Sequence, residues 1–411
     1  MTDAVPTDHG PAAYADREAV EVVYRTHVDA GRVDTWSIAD MRLVMGEREG
    51  PRFSDAYSGR WFLNCHCNGG VFNLGHRNPR VIAALRDAMD HADIGNHHLV
   101  SAYRAEAAER LVATTGGRLP GVVFATTGGE AIDLAIKAVR YATGRDEIVS
   151  VVGGYHGHTG LALATGEAKF REPFRHHVPG FVQVPYNDLA AMDAVIGDGT
   201  AAVILESIPA TLGFPMPEPG YLSGVARRCH ERGATLILDE VQTGLGRTGT
   251  CWYCEQEDVE PDVLVTGKGL GGGIYPIAAT LMTADVHRFT HEQPFSHVST
   301  FGGAELGCVA VCEVLDIIGA PGFLERVRDL GERIHAGIDG LGFEIRRRGM
   351  LFGLKFPDVY GGMTAMKALF DAGVYTFFAA NDPSVLQCKP ALVITDDDAD
   401  WLIDTVRATF G

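Results

Sequence analysis

The chain has 411 residues, 46% hydrophobic and 21% charged, the balance of a globular protein rather than a disordered one. Its 53 Asp and Glu against 35 Lys and Arg leave a formal net charge of -18, a surface that repels phosphate backbones and excludes nucleic acid as a main partner. No apolar run approaches the roughly 18 residues of a membrane span, and the polar, acidic start shows no secretory leader, so no membrane association is expected. The eight cysteines are scattered, not arranged as a disulfide framework, which points to a reducing, cytoplasmic setting. Glycine is the outlier: 50 residues, about 12% against a usual share of about 7%, in keeping with tight turns that approach a ligand closely.

From Met1 to about Val20 the pattern reads as a loose arm, followed to about Asn68 by an irregular stretch with short strand pieces at Met41–Met45 and Trp61–Leu63. Arg80–Met89 reads as a helix, with Val81, Ala84, Leu85 and Met89 on one face. A regular alternation then begins. Apolar runs at Val122–Ala125, Ile148–Val152, Ala202–Leu205, Thr235–Leu238, Val263–Val265 and Ala278–Met282 resemble buried strands. Helical patterns separate several of them, as at Ile132–Val139, Leu189–Val195 and Tyr221–His230. Such alternation predicts an α/β fold with a mostly parallel sheet covered by helices on both faces. Beyond Glu305 the rhythm changes to helices at about Cys308–Ile317 and Pro321–Leu341, strand pieces at Phe343–Ile345 and Leu351–Phe356, and a closing helix after Thr395. The expected division is an arm with part of a small domain over 1–68, a large domain over 69–305 and an α+β small domain over 306–411.

In an open α/β sheet, ligands gather beyond the carboxyl ends of the strands, so the residues after each apolar run carry the functional information. Thr126–Glu130 opens straight into a helix, and Gly128 and Gly129 leave its first N–H groups unobstructed for an anion; an ordinary N-cap explains the same residues equally well. Gly153–Thr159 places Tyr155 and His156 on the same rim, the tyrosine offering a flat face to a planar ligand. Glu206, Asp239 with Glu240 and Gln242, and Lys268 each follow a further run. Each alone reads as a surface charge, but two carboxylates and a lysine ending three strands should converge on one crevice.

Other patterns are set aside. His156-Gly-His158 lacks carboxylate co-ligands, so no metal is expected. Two G-x-G-x-x-G matches, at Gly244 and Gly267, lack the amphipathic helix of a dinucleotide fold, and Gly269 stands where a Walker loop needs Ser or Thr. Cys251 and Cys254 form a lone C-x-x-C, and Cys65-His66-Cys67 is ambiguous in the same way.

The stretch Leu238–Gly249 (LDEVQTGLGRTG), followed by Thr266-Gly-Lys268-Gly, resembles the class III aminotransferases, pyridoxal-phosphate enzymes of fold type I. The resemblance extends through Gly69–Pro79 (GGVFNLGHRNP), Thr127–Arg140, Tyr155–Thr159 and Ser299–Gly303 (STFGG). It implies pyridoxal 5′-phosphate as cofactor and Lys268 as the catalytic residue, bonded to it as a Schiff base and then moving the proton. It implies that catalytic Asp239 pairs with the pyridine nitrogen and that Gln242 reaches the phenolic oxygen. Val241 and Tyr155 are expected to pack on opposite ring faces. Thr127, Gly128 and Gly129 would bind the phosphate, Glu206 would support the Gln242 region, and His156 would have a supporting role. Thr300 is expected to reach the neighbouring subunit's phosphate, which implies a homodimer.

Members that use glutamate carry E-P-I-Q-G-E after the strand holding the first glutamate, and an arginine near the C-terminus that grips the substrate α-carboxylate. Here the corresponding stretch reads Glu206-Ser-Ile-Pro-Ala-Thr211, and Gln387 aligns with the arginine. A neutral amide cannot replace a bidentate guanidinium. The expected function is therefore amino transfer between an amine or amino acid and a keto or aldehyde acceptor, without the usual glutamate/2-oxoglutarate switch. Lys389 offers a weaker point charge. A racemase, epimerase or aminomutase on the same scaffold is the alternative.

Overall fold

The computed structural model describes residues 9–411. The N-terminal region is more ordered than its sequence pattern predicts: helices span Arg17–His27 and Ala30–Ile38, each capped by an aspartate, Asp16 or Asp29, that accepts a backbone N–H. The Arg17–His27 helix buries no residue and is held by charge instead, with Arg42 bonded to Glu18 and Glu21 and Arg17 to Asp55. Val20, Val23 and Tyr24 do fall at helical spacing, so the expectation of a loose arm to about Val20 overlooked a pattern that was present. Residues 1–8 of the expected arm lie outside the described residues.

Strands β1 (Met45–Glu49), β2 (Arg52–Asp55) and β3 (Trp61–Asn64) follow. The expected strand at Met41–Met45 therefore begins only at Met45; Met41 is a buried core residue after Asp40, whose φ of 51° ends the preceding helix. The helix expected at Arg80–Met89 spans Pro79–Met89 and is capped by Asn78. The helix Ala102–Thr114 escapes periodicity because it buries only Ala107 and Leu111.

The central sheet contains β4 (Gly121–Ala125), β5 (Glu147–Val151), β6 (Phe181–Val184), β7 (Thr200–Glu206), β8 (Thr235–Asp239), β9 (Val263–Thr266) and β10 (Ala278–Met282), in the spatial order β4-β10-β9-β8-β7-β5-β6. All pairs from β9 to β6 are parallel, and β10 runs antiparallel between β9 and β4. Alternate residues feed opposite cores: Val203, Leu205, Leu236 and Leu238 join one cluster, while Ala202, Ile204 and Ile237 join the other. That double burial explains the unbroken apolar runs of these strands. Strand β6 is the exception, an edge strand mostly half-buried and not visible as a run.

The remaining strands are β11 (Glu344–Arg348), β12 (Leu351–Lys355), β13 (Val374–Tyr375), β14 (Phe377–Ala379) and β15 (Asp382–Cys388). They form a sheet in the order β11-β12-β15-β14, while β13 pairs parallel with β3. A third apolar cluster joins Phe53, Phe62 and Leu63 to Leu330, Phe352 and Leu402, so the two ends of the chain share one core.

Arg247 ties this cluster to the central sheet. Its guanidinium is fully buried and donates to Asn73 Oδ1 at 2.6 Å, Met350 O at 2.9 Å and Pro390 O at 2.5 Å. Removing such a donor leaves buried acceptors without partners, at a cost of roughly 1–3 kcal/mol each. Arg247→Met is expected to lower unfolding free energy by about 3 kcal/mol in urea titrations; an unchanged midpoint would show that the guanidinium does not hold these segments.

Candidate active site

The parallel register aligns the site. Glu206 ends β7 directly beside Asp239, which ends β8, and Asp239 in turn pairs with Val265 of β9, three residues before Lys268. Glu206, Asp239 and Lys268 line one cavity of about 250 Å³. Thr127, Gly128 and Gly129 enter it from the start of the helix Gly128–Thr143, and Tyr155 and His156 from the turn after β5. Val241 and Gln242 complete the set from the turn after β8. Thr300 is exposed and outside this lining.

Asp239 is 6% exposed and held at both oxygens: Oδ2 lies 2.8 Å from His156 Nδ1, and Oδ1 accepts the Val241 N–H at 3.0 Å. His156 is buried too, and its Nε2 has no partner. The histidine therefore supports the aspartate and orients it. Glu206 accepts the Tyr155 N–H at 2.8 Å and the Ala210 N–H at 3.3 Å, so its bonds anchor the Tyr155 turn, not Gln242 as the resemblance implied.

Lys268 occupies the left-handed region at φ 46°. A non-glycine residue there carries strain of order 1–3 kcal/mol, which surrounding structure must over-determine. Burial pushes its amine below the ordinary lysine range, and the Asp239 and Glu206 carboxylates partly offset that. Burial likewise raises Glu206, from 4.5 to about 7.

The residues fit a planar, phosphorylated cofactor. Thr127 caps its helix by accepting the Glu130 N–H, leaving the Gly128 and Gly129 N–H groups at a helix N-terminus suited to an anion. The glycines are required by space: a Cβ on Gly129 would lie 2.8 Å from Thr159 Oγ1, and one on Gly128 3.2 Å from Val241 Cγ1. A buried carboxylate with two hydrogen-bond partners, in the same cavity as a lysine, would suit a protonated ring nitrogen as counter-charge. Among the described residues, no group of three or more His, Cys, Asp or Glu side chains is placed to hold a metal ion.

Sequence reasoning missed Gly157, His158 and Thr159 as lining residues and Gly69 as a neighbour of the lysine, a Cβ there falling 3.1 Å from Lys268 Cε. The first three were legible in the polar run after β5. Gly69 was not, because it arrives from a distant turn.

The departures from the glutamate-using pattern are also placed. Gln387 donates through Nε2 to Phe378 O at 3.2 Å and accepts from Lys389 Nζ through Oε1. Lys389 is fully buried, and burial together with the Lys268 and Arg247 charges pushes it well below the ordinary lysine range. Thr211 donates to Gly153 O at 3.0 Å. Lys389 thus spends its amine on Gln387 and does not present a free charge.

This fold and a lysine–aspartate pair at its strand ends define a fold type I enzyme of the pyridoxal-phosphate kind. Comparison narrows the class: residues 37–410 match the class III aminotransferase family, and the chain belongs to it. It is 46% identical over 385 residues to an uncharacterised aminotransferase of Archaeoglobus fulgidus, covering 92% of this chain and 91% of that protein. The ornithine aminotransferase of Toxoplasma gondii, which has pyridoxal phosphate at partial occupancy in its active site, superposes with a TM-score of 0.87 at 26% identity, over 96% of this chain and 94% of that one. An aminotransferase from Vibrio fluvialis shares the fold with a TM-score of 0.85 at 20% identity, over 95% and 97% of the two chains.

The pH behaviour follows from Glu206. An unfolded glutamate titrates near 4.5 and the folded one near 7, so the folded state binds this proton more tightly. Its stability contribution is full below pH 4.5 and is lost as pH rises through about 7. Glu206→Gln is expected to flatten that decline, by on the order of 3 kcal/mol in urea midpoints taken between those limits. Parallel curves for the two proteins would count against the assignment.

Proposed function

We propose that this aminotransferase uses pyridoxal 5′-phosphate to move an amino group from an amine, or an amino acid bound without an arginine clamp, to a keto or aldehyde acceptor. The observation that carries the reading is the convergence of Lys268, the His156-supported Asp239 and the Gly128–Gly129 helix start on one cavity. When bound, the cofactor supplies an aldehyde for the amino group and a ring that takes up electrons.

The chain's own residues do the rest. Asp239 would hold a proton on the ring nitrogen, Gln242 would meet the ring oxygen, and Tyr155 and Val241 would flank the ring. Thr127, Gly128 and Gly129 would bind the phosphate. Lys268 Nζ, its basicity lowered by burial, takes the proton from the donor Cα and returns it on the other side of the transfer. In this reading the active unit is a homodimer in which Thr300 serves the neighbour's phosphate, which fits an exposed position outside its own cavity. The division at residues 69 and 306 is supported by the core that the two chain ends share. Eight free cysteines suit a cytoplasmic, reducing setting.

Lys268→Ala is expected to abolish the borohydride-reducible attachment of the cofactor and to lower turnover by more than about 10³-fold, while leaving the circular dichroism spectrum unchanged. A variant that keeps the reducible bond would remove Lys268 from this role.

The second part of the reading concerns the carboxylate. With Gln387 bonded to Phe378 and Lys389 turned onto Gln387, nothing there replaces a guanidinium fork. Glutamate is expected to show kcat/KM on the order of a hundredfold below the best amine donor. Efficient, saturable turnover of glutamate or 2-oxoglutarate in steady-state kinetics would defeat it.

A further inference from the structure

Beside the site lies a second cavity of about 560 Å³, lined by Trp36 from the helix Ala30–Ile38, Phe53 from β2, His66 and Phe72 from the turn after β3, and Tyr375 and Phe377 from β13 and β14. Trp36 stands edge-on to Phe377 with centroids 5.9 Å apart, Phe53 edge-on to Tyr375 at 5.4 Å, and His66 lies 5.4 Å from Phe377. No carboxylate lines this chamber. Burial, helped by the Lys389 and Lys268 charges, holds the His66 imidazole well below its ordinary range, so it contributes a neutral ring. The one cationic side chain in the lining, Arg32, is exposed, with Nε 3.5 Å from Asp29 Oδ2.

The chamber adjoins the reacting lysine. Asn68 lines it, and the next residue, Gly69, is the one whose Cβ would fall 3.1 Å from Lys268 Cε. From Cys67 to Gly70 four successive residues have positive φ, 50°, 48°, 69° and 105°. A run that includes two non-glycine residues in this region is held under strain, as at other ligand boundaries. The cavity holding Lys268, about 250 Å³, is smaller than the ~300–1,000 Å³ usual for a small-molecule pocket. A cofactor there leaves the remainder of a donor to extend past this turn.

We propose that the aromatic chamber receives the non-reacting end of the amino donor and that this end is an aryl or similarly bulky apolar group. The inference rests on the amino-transfer reading above and names its substrate class: arylalkyl primary amines. Burying an aromatic ring among aromatic side chains is favourable both by area and by edge-to-face contact. A carboxylate would meet no buried cation there, since Arg32 is exposed and faces Asp29.

The test uses the holoenzyme with 3-phenylpropylamine and propylamine, following conversion of the cofactor to its amine form, and calorimetric titration with 3-phenylpropan-1-ol, which has no amine to react. Phe377→Ala and Trp36→Ala, on separate elements, are compared with the unmodified protein. The aryl amine is expected to exceed propylamine in kcat/KM by at least about tenfold, and each substitution to reduce that ratio about tenfold, mainly through KM, with parallel loss of alcohol binding. Equal efficiency of the two amines in the unmodified enzyme, or an unchanged ratio in both variants, would overturn the proposal. If neither amine converts the cofactor but the alcohol binds the unmodified protein and not the variants, amino transfer falls while the chamber stands as an aryl site.

Discussion

The active site depends on a hydrogen bond between two buried side chains, His156 Nδ1 and Asp239 Oδ2, 2.8 Å apart. A carboxylate taken out of water is tolerated only when its charge is met by donors or counter-charges. His156 and the Val241 N–H meet part of that need, and in the proposed reading a protonated ring would meet the remainder. The bond also spans the sheet: His156 follows β5 and Asp239 ends β8, with β7 between them. It requires β5, β7 and β8 to lie side by side, so the geometry of the site rests on the parallel order of these three strands.

Around that bond the electrostatics are arranged by burial. Lys268 loses basicity and Glu206 gains it for the same reason, since each would carry a charge away from water. Both shifts favour the neutral form of the group, and a lysine of lowered basicity would suit the proton-moving role proposed for it. The strained backbone at Lys268 belongs to the same design, because glycines at 267 and 269 flank it and let the lysine occupy a conformation its neighbours enforce.

The region that would grip a substrate carboxylate in glutamate-using relatives is here closed on itself. Gln387, Lys389 and Arg247 satisfy each other's surroundings through Phe378, Pro390, Met350 and Asn73. Positive charge is present but buried and spent internally, while the space next to Lys268 is lined by aromatic rings. The same shared core of the two chain ends produces both results.

The sequence by itself determined the strands of the central sheet and the chemistry at their ends, because strands buried on both faces must be continuously apolar and the polar residues after them stand out. Asp239, Lys268 and the glycines at 128 and 129 were legible for that reason, whereas Gln387 in the place of an arginine was legible only through the resemblance to the class III family. The helix Ala102–Thr114 was not, since it buries only Ala107 and Leu111 and carries little one-sided periodicity. Only the tertiary structure decided that His156 supports Asp239, that Glu206 anchors the Tyr155 turn, that Lys389 turns inward and that four separate segments enclose an aromatic chamber. Each is a contact between residues far apart in the chain, fixed by how layers pack rather than by any local pattern.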